Sequence, residues 1–262
     1  MVDLTADRAV ERQIDIGRPR CTSQAWQEQL SRRSGACMPV SAMVGAAQRL
    51  VVLAPHPDDE LLACGMLVHA HARRGGDVLI IGVTDGEASH RDVPGWSAPD
   101  TAAMRRRERV EGLDALGVGT ADLLLLGLPD GALQERVGDL EQALGTLLRP
   151  DDAVVTTWRL DGHPDHEACG LAAAGAARRA GALLWEAPVW MWHWAEPEHP
   201  KVPWHRLCAF QPPAGAAAAK QAALARHRSQ LSERGQGLAP VLDGAILERA
   251  RWPLEYFFLP GA

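Results

Sequence analysis

Short, uninterrupted runs of apolar residues, each followed by a stretch of helical character, constrain the fold of this chain most. The first run, Leu50–Ala54, ends at Pro55 before a helical stretch at about residues 59–74. Similar runs begin at Val78, Asp122 and Ala153. Strands that are buried on both faces have continuous apolar sequences of this kind. The sequence therefore predicts an α/β fold, a Rossmann-like, mostly parallel sheet with helices on both faces and an irregular C-terminal region.

The chain before this alternation has a different character. Residues 1–47 are polar, mixed in charge and weakly periodic. We expect an N-terminal extension here, with one helix near residues 24–33 that packs on the main domain. Residues 48–262 are predicted to form a single domain, because no repeat or low-complexity linker divides them.

The last third of the chain is less regular. Within residues 183–194, the residues Trp190, Trp192 and Trp194 occupy every second position, so we expect a strand with the three rings on one face. Packing of the C-terminal region is the favoured role for these rings, and stacking on a sugar is the alternative. The tail, residues 241–262, is predicted to form a hairpin or a lid.

Composition and charge exclude several classes of protein. The 262 residues carry a formal net charge of −6 at pH 7, so we expect neither a nucleic-acid partner nor an anionic membrane surface. No apolar run is long enough to predict a membrane span. The N-terminus lacks the apolar core of a signal peptide, and we therefore expect a cytoplasmic protein. Five cysteines without a CxxC pair predict neither a disulfide framework nor a thiolate zinc site.

Two clusters of histidine and carboxylate residues stand at the ends of predicted strands. Residues 55–60 read PHPDDE and follow the first strand, and residues 162–167 read GHPDHE and follow the fourth. A single such cluster is ordinary turn chemistry. Two of them, each between a buried strand and a helix, are hard to attribute to turns alone. Because parallel sheets bind ligands beyond the carboxyl ends of their strands, we expect the two clusters to meet there.

The residue types in these clusters suit a catalytic metal site. Such a site needs three nitrogen or oxygen ligands and one open position for water. His56 and Asp59, three residues apart at a helix start, can project to one side of a turn, and His166 supplies a third ligand. A metal held there lowers the pKa of water and polarises an amide carbonyl. Zinc is the expected ion, although iron(II) suits the same donors.

The remaining residues of the clusters can carry the other catalytic roles. Asp58 is adjacent to the ligands but is not needed as one, so we expect it to act as the general base on the attacking water. His163 is expected either to protonate the leaving nitrogen or to stabilise the oxyanion as an imidazolium. Asp165 is expected to orient one of the histidines.

The two motifs resemble those of a known family. Residues 55–60 match (A/P)HPDDE, and residues 163–166 match HPDH, of the zinc-dependent N-deacetylases typified by LmbE-like and PIG-L-type proteins. This family includes GlcNAc-phosphatidylinositol and mycothiol-pathway deacetylases. The resemblance implies zinc on His56, Asp59 and His166, with Asp58 as base and His163 as the electrostatic or acid catalyst. It implies the same roles that the residue types suggest.

Weaker similarities to the family concern the substrate. Arg105-x-x-Glu108 resembles a helix whose arginine contacts sugar hydroxyls, although an arginine in a helical run is often only solvated. Asp130, in the sequence Leu-Pro-Asp-Gly, resembles an aspartate that also binds the sugar, although an Asp-Gly pair is also a common turn. The segments 84–87 (TDGE) and 220–230 resemble further family motifs to which we assign no role.

One departure from the family pattern bears on catalysis. Some members carry a tyrosine two residues before HPDH that assists the oxyanion, and this chain has Asp161 there. The only tyrosine is Tyr256, in the tail. We therefore expect either the metal and His163, or a group that the sequence does not reveal, to stabilise the oxyanion.

The resulting functional hypothesis is a metal-dependent hydrolase that removes an N-acyl group, expected to be N-acetyl, from an amino sugar such as an N-acetylglucosamine conjugate. Its partner would be that small-molecule glycoconjugate, and the sequence leaves a homo-oligomer open. One alternative is the hydrolysis of another acyl amide or ester. A nucleotide-binding module is a further alternative, but it is disfavoured because no GxGxxG follows any predicted strand.

Overall fold

The computed structural model describes residues 18–33, 37–45, 49–235 and 237–259. Within these residues, eight strands form one sheet. The strands are β1 (Cys37–Met38), β2 (Leu50–Ala54), β3 (Val78–Gly82), β4 (Asp122–Leu125), β5 (Ala153–Thr157), β6 (Leu183–Ala187), β7 (Leu207–Phe210) and β8 (Glu255–Phe258). Their order across the sheet is β1-β7-β8-β6-β5-β2-β3-β4.

The helices fill the connections between these strands. They are α1 (Ser23–Ser31), α2 (Val40–Met43), α3 (Asp59–Arg73), α4 (Ala98–Leu116), α5 (Val137–Leu147), α6 (Pro164–Ala180), α7 (Met191–Trp194), α8 (Ala216–Leu224), α9 (Arg228–Leu231) and α10 (Gly244–Ala250). None of the helices in the described part of the chain is long and apolar enough to cross a membrane.

The sheet is buried on both faces, as its apolar strands predict. In β2, Leu50 and Val52 pack into the core beneath α3 and α8, whereas Val51 and Leu53 pack into the core beneath α5 and α6. This alternation follows from the two-residue period of a strand. The predicted α/β fold, a mostly parallel sheet with helices on both faces, is therefore confirmed.

The order of the strands places a crevice in the middle of the sheet. From β2 the chain moves to β3 and β4 on one side, and then returns to β5, which pairs in parallel with the other side of β2. At a position where one connection leads to the left of a strand and another to the right, the loops at the carboxyl ends of the strands separate. A gap opens between these loops. The loops after β2 and β5 border this gap.

The prediction of a strand over residues 183–194 was wrong beyond residue 187. Strand β6 ends at Ala187, and the three tryptophans do not share a strand face, because α7 begins at Met191. Pro188 has no N–H with which to continue the ladder. The next three backbone N–H groups turn inward and donate to the carboxylate of Asp161.

The prediction of a hairpin or a lid for the tail was also wrong. Residues 244–250 form α10, and β8 lies inside the sheet, antiparallel to both β6 and β7. By filling this position, β8 covers strand edges whose N–H and C=O groups would otherwise lie open. Residues 260–262 lie outside the described part of the chain.

Helix α1 belongs to the predicted N-terminal extension and packs on the body of the protein. Trp26 is fully buried in a cluster of tryptophans, where its ring lies 5.1 Å from that of Trp192. Its Nε1 donates to the carbonyl of Trp192 over 3.1 Å, and Nε1 of Trp252 donates to Oγ of Ser23 over 2.7 Å. The described part of the extension thus completes a hydrophobic cluster, while the predicted domain boundary at residues 47 and 48 stays a prediction.

Replacing Trp26 with alanine should therefore destabilise the whole protein. Removing a fully buried tryptophan leaves a cavity, and such changes cost about 3–5 kcal/mol. Urea denaturation followed by circular dichroism measures the loss. Gln27→Ala, an exposed position on the same helix, is the matched control and should change the free energy of unfolding little. Equal stability of the two variants would mean that α1 is only loosely attached.

Candidate active site

The two predicted clusters meet in one cleft at the carboxyl ends of β2 and β5. The cleft is lined by His56, Asp58, Asp59, Leu62, Ser89, Arg105, Asp130, His163, His166, Trp190, Gln230, Val241 and Leu242. Every predicted site residue except Asp165 therefore lines this cleft, and Asp165 contacts His56 from behind it.

The turn after β2 has an unusual backbone. Asp58 has φ of 121°, in a region that residues other than glycine rarely adopt. The guanidinium of Arg105 holds the turn: its Nη2 donates to the carbonyl of Pro57 over 2.6 Å and to Oδ2 of Asp58 over 3.1 Å. Its Nη1 donates to the carbonyl of Gly86 over 3.1 Å, so the TDGE turn after β3 is tied to the same arginine.

Asp59 lies between the two histidines that were predicted to share a metal with it. Its Oδ2 is 3.1 Å from Nδ1 of His56 and 3.2 Å from Nε2 of His166. Two atoms bound to zinc at about 2.0–2.1 Å in tetrahedral geometry lie about 3.3 Å apart. The two distances from Asp59 are thus close to those that one ion requires, and the ligand atoms of the three residues all lie within 4.8 Å of one another. Their chemistry, two imidazoles and a carboxylate, fits zinc or iron(II).

A second group of potential ligands, His56, His163 and Asp165, is also compact. Both carboxylate oxygens of its aspartate accept backbone N–H groups, however, whereas in the other group only Oδ2 of Asp59 does so, from His56 over 3.0 Å. Asp165 accepts the N–H groups of Gly131 over 2.8 Å and of Leu133 over 3.2 Å, and Nδ1 of His163 accepts the N–H of Asp165. The group that contains Asp59 is therefore the better candidate for the metal.

Carboxylates orient both histidines of the Asp59 group. Nε2 of His56 lies 3.2 Å from Oδ2 of Asp165 and 3.2 Å from Oδ1 of Asp130. These contacts leave Nδ1 of His56 directed at Asp59. Asp165 was predicted to orient a histidine, and its position suits that role.

Asp161 orients the other histidine, His166. This role was not assigned to Asp161 from the sequence. Its Oδ2 lies 2.8 Å from Nδ1 of His166, and the residue is fully buried. The same carboxylate accepts the backbone N–H groups of Val189, Trp190 and Met191. In the sequence, Asp161 stands out only because some family members have a tyrosine at this position. Its place five residues before the candidate ligand His166 is the sequence signal that could have indicated its role.

Asp58 is buried beside the candidate metal ligands, and this raises its basicity. Burial raises the pKa of its carboxyl to about 7, an effect that the nearby charge of Arg105 opposes and the carboxylate of Asp59 supports. A base whose pKa lies near the working pH both holds a free lone pair and accepts a proton readily. Asp58 is therefore suited to act as a general base.

His163 begins helix α6 and is held in one tautomer. Its Nδ1 accepts the N–H of Asp165 over 3.2 Å, which leaves the proton of a neutral ring on Nε2. Burial lowers the pKa of His163 to about 3, with the neighbouring His166 and His56 adding to the effect. Both observations favour a neutral ring that can donate through Nε2, and the catalytic role of His163 stays a prediction.

Ion pairs outside the cleft explain further parts of the motifs. Glu60 accepts Nε of Arg109 over 3.2 Å in a fully buried pair, and it also accepts the N–H of Asp58. Glu108 accepts both the N–H and the hydroxyl of Ser229, over 2.7 and 2.6 Å. The segment 220–230, to which we had assigned no role, is therefore docked on α4 by the glutamate of Arg-x-x-Glu.

The side chains predicted to bind substrate lie at the cleft in different states. Arg105 is almost fully buried and is engaged with the turn at Asp58. Asp130 faces His56. Trp190 lines the cleft with its ring 6.4 Å from that of His163, whereas Trp192 and Trp194 are packed in the tryptophan cluster. Contact of Arg105 and Asp130 with a sugar stays a prediction.

Comparison with known proteins agrees with these motifs. Residues 51–177 match the family described as "PIG-L: GlcNAc-PI de-N-acetylase". The chain is 25% identical over 264 aligned positions to a 1D-myo-inositol 2-acetamido-2-deoxy-alpha-D-glucopyranoside deacetylase of Mycobacterium sp. strain KMS, covering 82% of this chain and 84% of that protein. Its match to the enzyme of that name from Rhodococcus erythropolis, at 27% identity, covers 57% of this chain and 62% of the relative's length.

A solved structure shares the fold. The crystal structure of the antimicrobial reagent A40926 pseudoaglycone deacetylase superimposes with a TM-score of 0.61 at 22% identity, covering 81% of this chain and 96% of that one. At this level of identity the likeness concerns the fold alone.

Replacing Asp161 with asparagine should weaken metal binding at the candidate site. The amide keeps the shape and can still accept a backbone N–H, but it no longer holds His166 with a negative charge. Changes at such supporting groups typically cost about 10–100-fold in metal affinity. Competition between the protein and a chromogenic chelator for zinc measures the effect. Asp151→Asn, an exposed position, is the control. Unchanged zinc affinity in Asp161→Asn would contradict the orienting role.

Proposed function

We propose that this chain, whose residues 51–177 match the PIG-L family, is a metal-dependent hydrolase of N-acylated amino sugars. The acyl group we expect is acetyl. The observation that carries the proposal is the arrangement of Asp58 and His163 beside a compact group of three metal-ligand side chains in one cleft.

The relatives support this choice of substrate class. The names of two of them describe deacetylases of 2-acetamido-2-deoxyglucose joined to inositol, and another is a probable deacetylase of an N-acetylglucosaminyl malate. In each name the amide nitrogen belongs to a glucosamine, while the group attached to the sugar differs. We therefore propose an N-acetylglucosamine conjugate as the substrate. We expect the side chains around the cleft to determine which group attached to the sugar is accepted.

The metal would be held by His56, Asp59 and His166. When bound there, zinc supplies a Lewis acid that lowers the pKa of water and polarises a carbonyl. The chain itself orients the two imidazoles through Asp165 and Asp161, as described above. Iron(II) would meet the same donor set.

Asp58 would move the proton. Its carboxylate takes a proton from the attacking water as the new C–O bond forms at the amide carbon. As the C–N bond breaks, that proton passes to the departing nitrogen, so the products are a free amine and a carboxylic acid. Arg105 holds the carboxylate in place through its contact with Oδ2, and this anchoring keeps the base aimed at the cleft.

His163 would act as a hydrogen-bond donor to the carbonyl oxygen. Of the two roles that the sequence left open, the neutral tautomer favours stabilisation of the oxyanion through Nε2–H. A neutral imidazole at a helix N-terminus is an established device for polarising a carbonyl. This donor would also take over from the tyrosine that Asp161 replaces in the family pattern.

Asp58→Asn is the sharpest test of the catalytic assignment. The amide cannot accept the proton of water, so turnover should fall by about 10²–10⁴-fold, while zinc binding should be retained because Asp58 is not a ligand. Release of free amine from N-acetylglucosamine glycosides gives the rate, and elemental analysis gives the metal content. Asp139→Asn, at an exposed position, should behave like the parent. Full activity of Asp58→Asn would remove Asp58 from the mechanism.

His166→Ala tests the metal assignment separately. Loss of one of three ligands should remove most of the bound zinc and, with it, activity. Elemental analysis after purification without chelator measures the metal. Retention of stoichiometric zinc in this variant would place the ion elsewhere. A parent protein that contains metal but hydrolyses simple esters or N-acyl amino acids instead of acetamido sugars would support the alternative of another amide or ester hydrolase.

A further inference from the structure

A second cavity lies beside the catalytic cleft. Leu62 of α3 lines both this cavity and the cleft. Its walls come from α3, α7, α8, α10 and β8. They are largely apolar or aromatic and include Trp192, Ile246, Trp252, Leu254 and Tyr256. None of the proposed metal ligands, nor Asp58 or His163, lines it.

Arg249 places a guanidinium in the wall of this cavity. The residue is only 8% exposed. Its Nη2 contacts the ring of His193, 3.3 Å from Nε2 and closer to Nδ1. Among the residues that the structure describes, Nε and Nη1 of Arg249 form no hydrogen bond, and no carboxylate oxygen lies within 4.0 Å of the guanidinium.

The other buried arginines behave differently. Arg105 pairs with Asp58 and Arg109 pairs with Glu60, so each has a carboxylate partner. The second cation at the cavity, Lys220, is also paired: its Nζ lies 2.9 Å from Oε1 of Glu255. Arginine and lysine are rarely buried unless they are paired. Arg249 therefore carries a charge at the cavity that no described carboxylate contacts directly.

His193 does not supply the missing negative charge. Burial lowers the pKa of His193, and the charge of Arg249 adds to this effect. The ring offers the guanidinium a hydrogen-bond acceptor but no negative charge. Behind it, Oδ2 of Asp243 lies 3.7 Å from Nε2 of His193. The negative charge of Asp243 therefore lies across the imidazole ring from the positive charge of Arg249. It does not occupy Nε or Nη1 of the guanidinium.

Burial does not discharge the guanidinium. It lowers the pKa of Arg249 to about 10, so the side chain stays protonated at neutral pH. A guanidinium offers five N–H donors in a planar fork that matches a carboxylate, and such pairs are often bidentate. The aromatic and aliphatic walls suit an apolar body attached to that carboxylate.

We propose that this cavity is a binding site for an organic carboxylate with an aromatic or aliphatic body, and that Arg249 is its anionic-group receptor. The carboxylate is either carried by the group attached to the sugar of the substrate or belongs to a separate small molecule. Leu62, which lines both spaces, places the cavity next to the cleft and so favours the first source. That source rests on the proposed deacetylase function, whereas binding of a separate carboxylate does not.

Binding of a simple probe tests the site without any need for catalysis. Isothermal titration calorimetry of the metal-loaded protein should show that 4-phenylbutyrate binds at least about tenfold more tightly than its neutral amide, since a charge-assisted pair is worth that much. Arg249→Gln should abolish this preference. Arg251→Gln, an exposed arginine at the end of the same helix, should retain it and controls for the lost charge.

Kinetics then distinguish the two sources of the carboxylate. The KM values for 4-carboxyphenyl and 4-carbamoylphenyl glycosides of N-acetylglucosamine are compared in the parent and both variants. A KM for the carboxylate glycoside that is about tenfold lower in the parent, and equal in Arg249→Gln, assigns the site to the substrate. Equal KM values together with tight probe binding assign it to a separate ligand.

The proposal has clear grounds for rejection. If the parent shows preference for the carboxylate in neither calorimetry nor KM, the site does not exist. If neither glycoside is hydrolysed, the proposed function fails, but calorimetry still decides on the site. If Arg249→Gln does not fold, the parent is treated with phenylglyoxal, which modifies arginine. Protection of Arg249 by 4-phenylbutyrate, seen by peptide mass spectrometry, supports the site, and equal modification with and without the probe rejects it.

Discussion

The parallel pairing of β2 with β5 is the interaction on which the rest of the site depends. The register that sets Leu53 opposite Thr156 brings the loops after both strands to the same height at one edge of the sheet. Oδ2 of Asp59 then lies within 3.2 Å of both histidines. Residues that are about 100 positions apart in the chain thereby form one compact donor group. A shift of either strand by one residue would turn its side chains to the opposite face and disperse this group.

Buried ion pairs hold the turn after β2 in place at this edge of the sheet. The turn at Asp58 adopts a backbone conformation that costs free energy. It persists only because contacts with neighbouring groups stabilise it. Arg105 binds its carbonyl and its carboxylate, and Glu60 binds its N–H. Arg109 in turn neutralises Glu60. The same helix α4 also docks the C-terminal segment through Glu108. One helix thus links the strained turn of the candidate base to the distant wall of the cleft.

The tryptophan-rich C-terminal region is also coupled to the candidate metal site. Asp161 binds His166 on one side and three consecutive backbone N–H groups before and within α7 on the other. The first described helix closes this region through Trp26. Packing that looks remote in the sequence therefore supports the orientation of a proposed ligand. The second cavity, with Arg249, lies between this region and the catalytic cleft.

The sequence by itself determined the fold class and the meeting of the two motifs, because apolar runs report burial and parallel strands gather their carboxyl ends. It also carried the two motifs that resemble those of the PIG-L family. Only the tertiary structure decided that residues 188–194 leave the sheet, that the tail enters it as β8, and that Nδ1 of His163 accepts the N–H of Asp165. The reason is physical: local periodicity records which face of an element is buried, but not which distant group meets it. In the sequence nothing distinguishes Asp161 from other aspartates. Its contacts arise only in the fold, where β5, α6 and α7 enclose it.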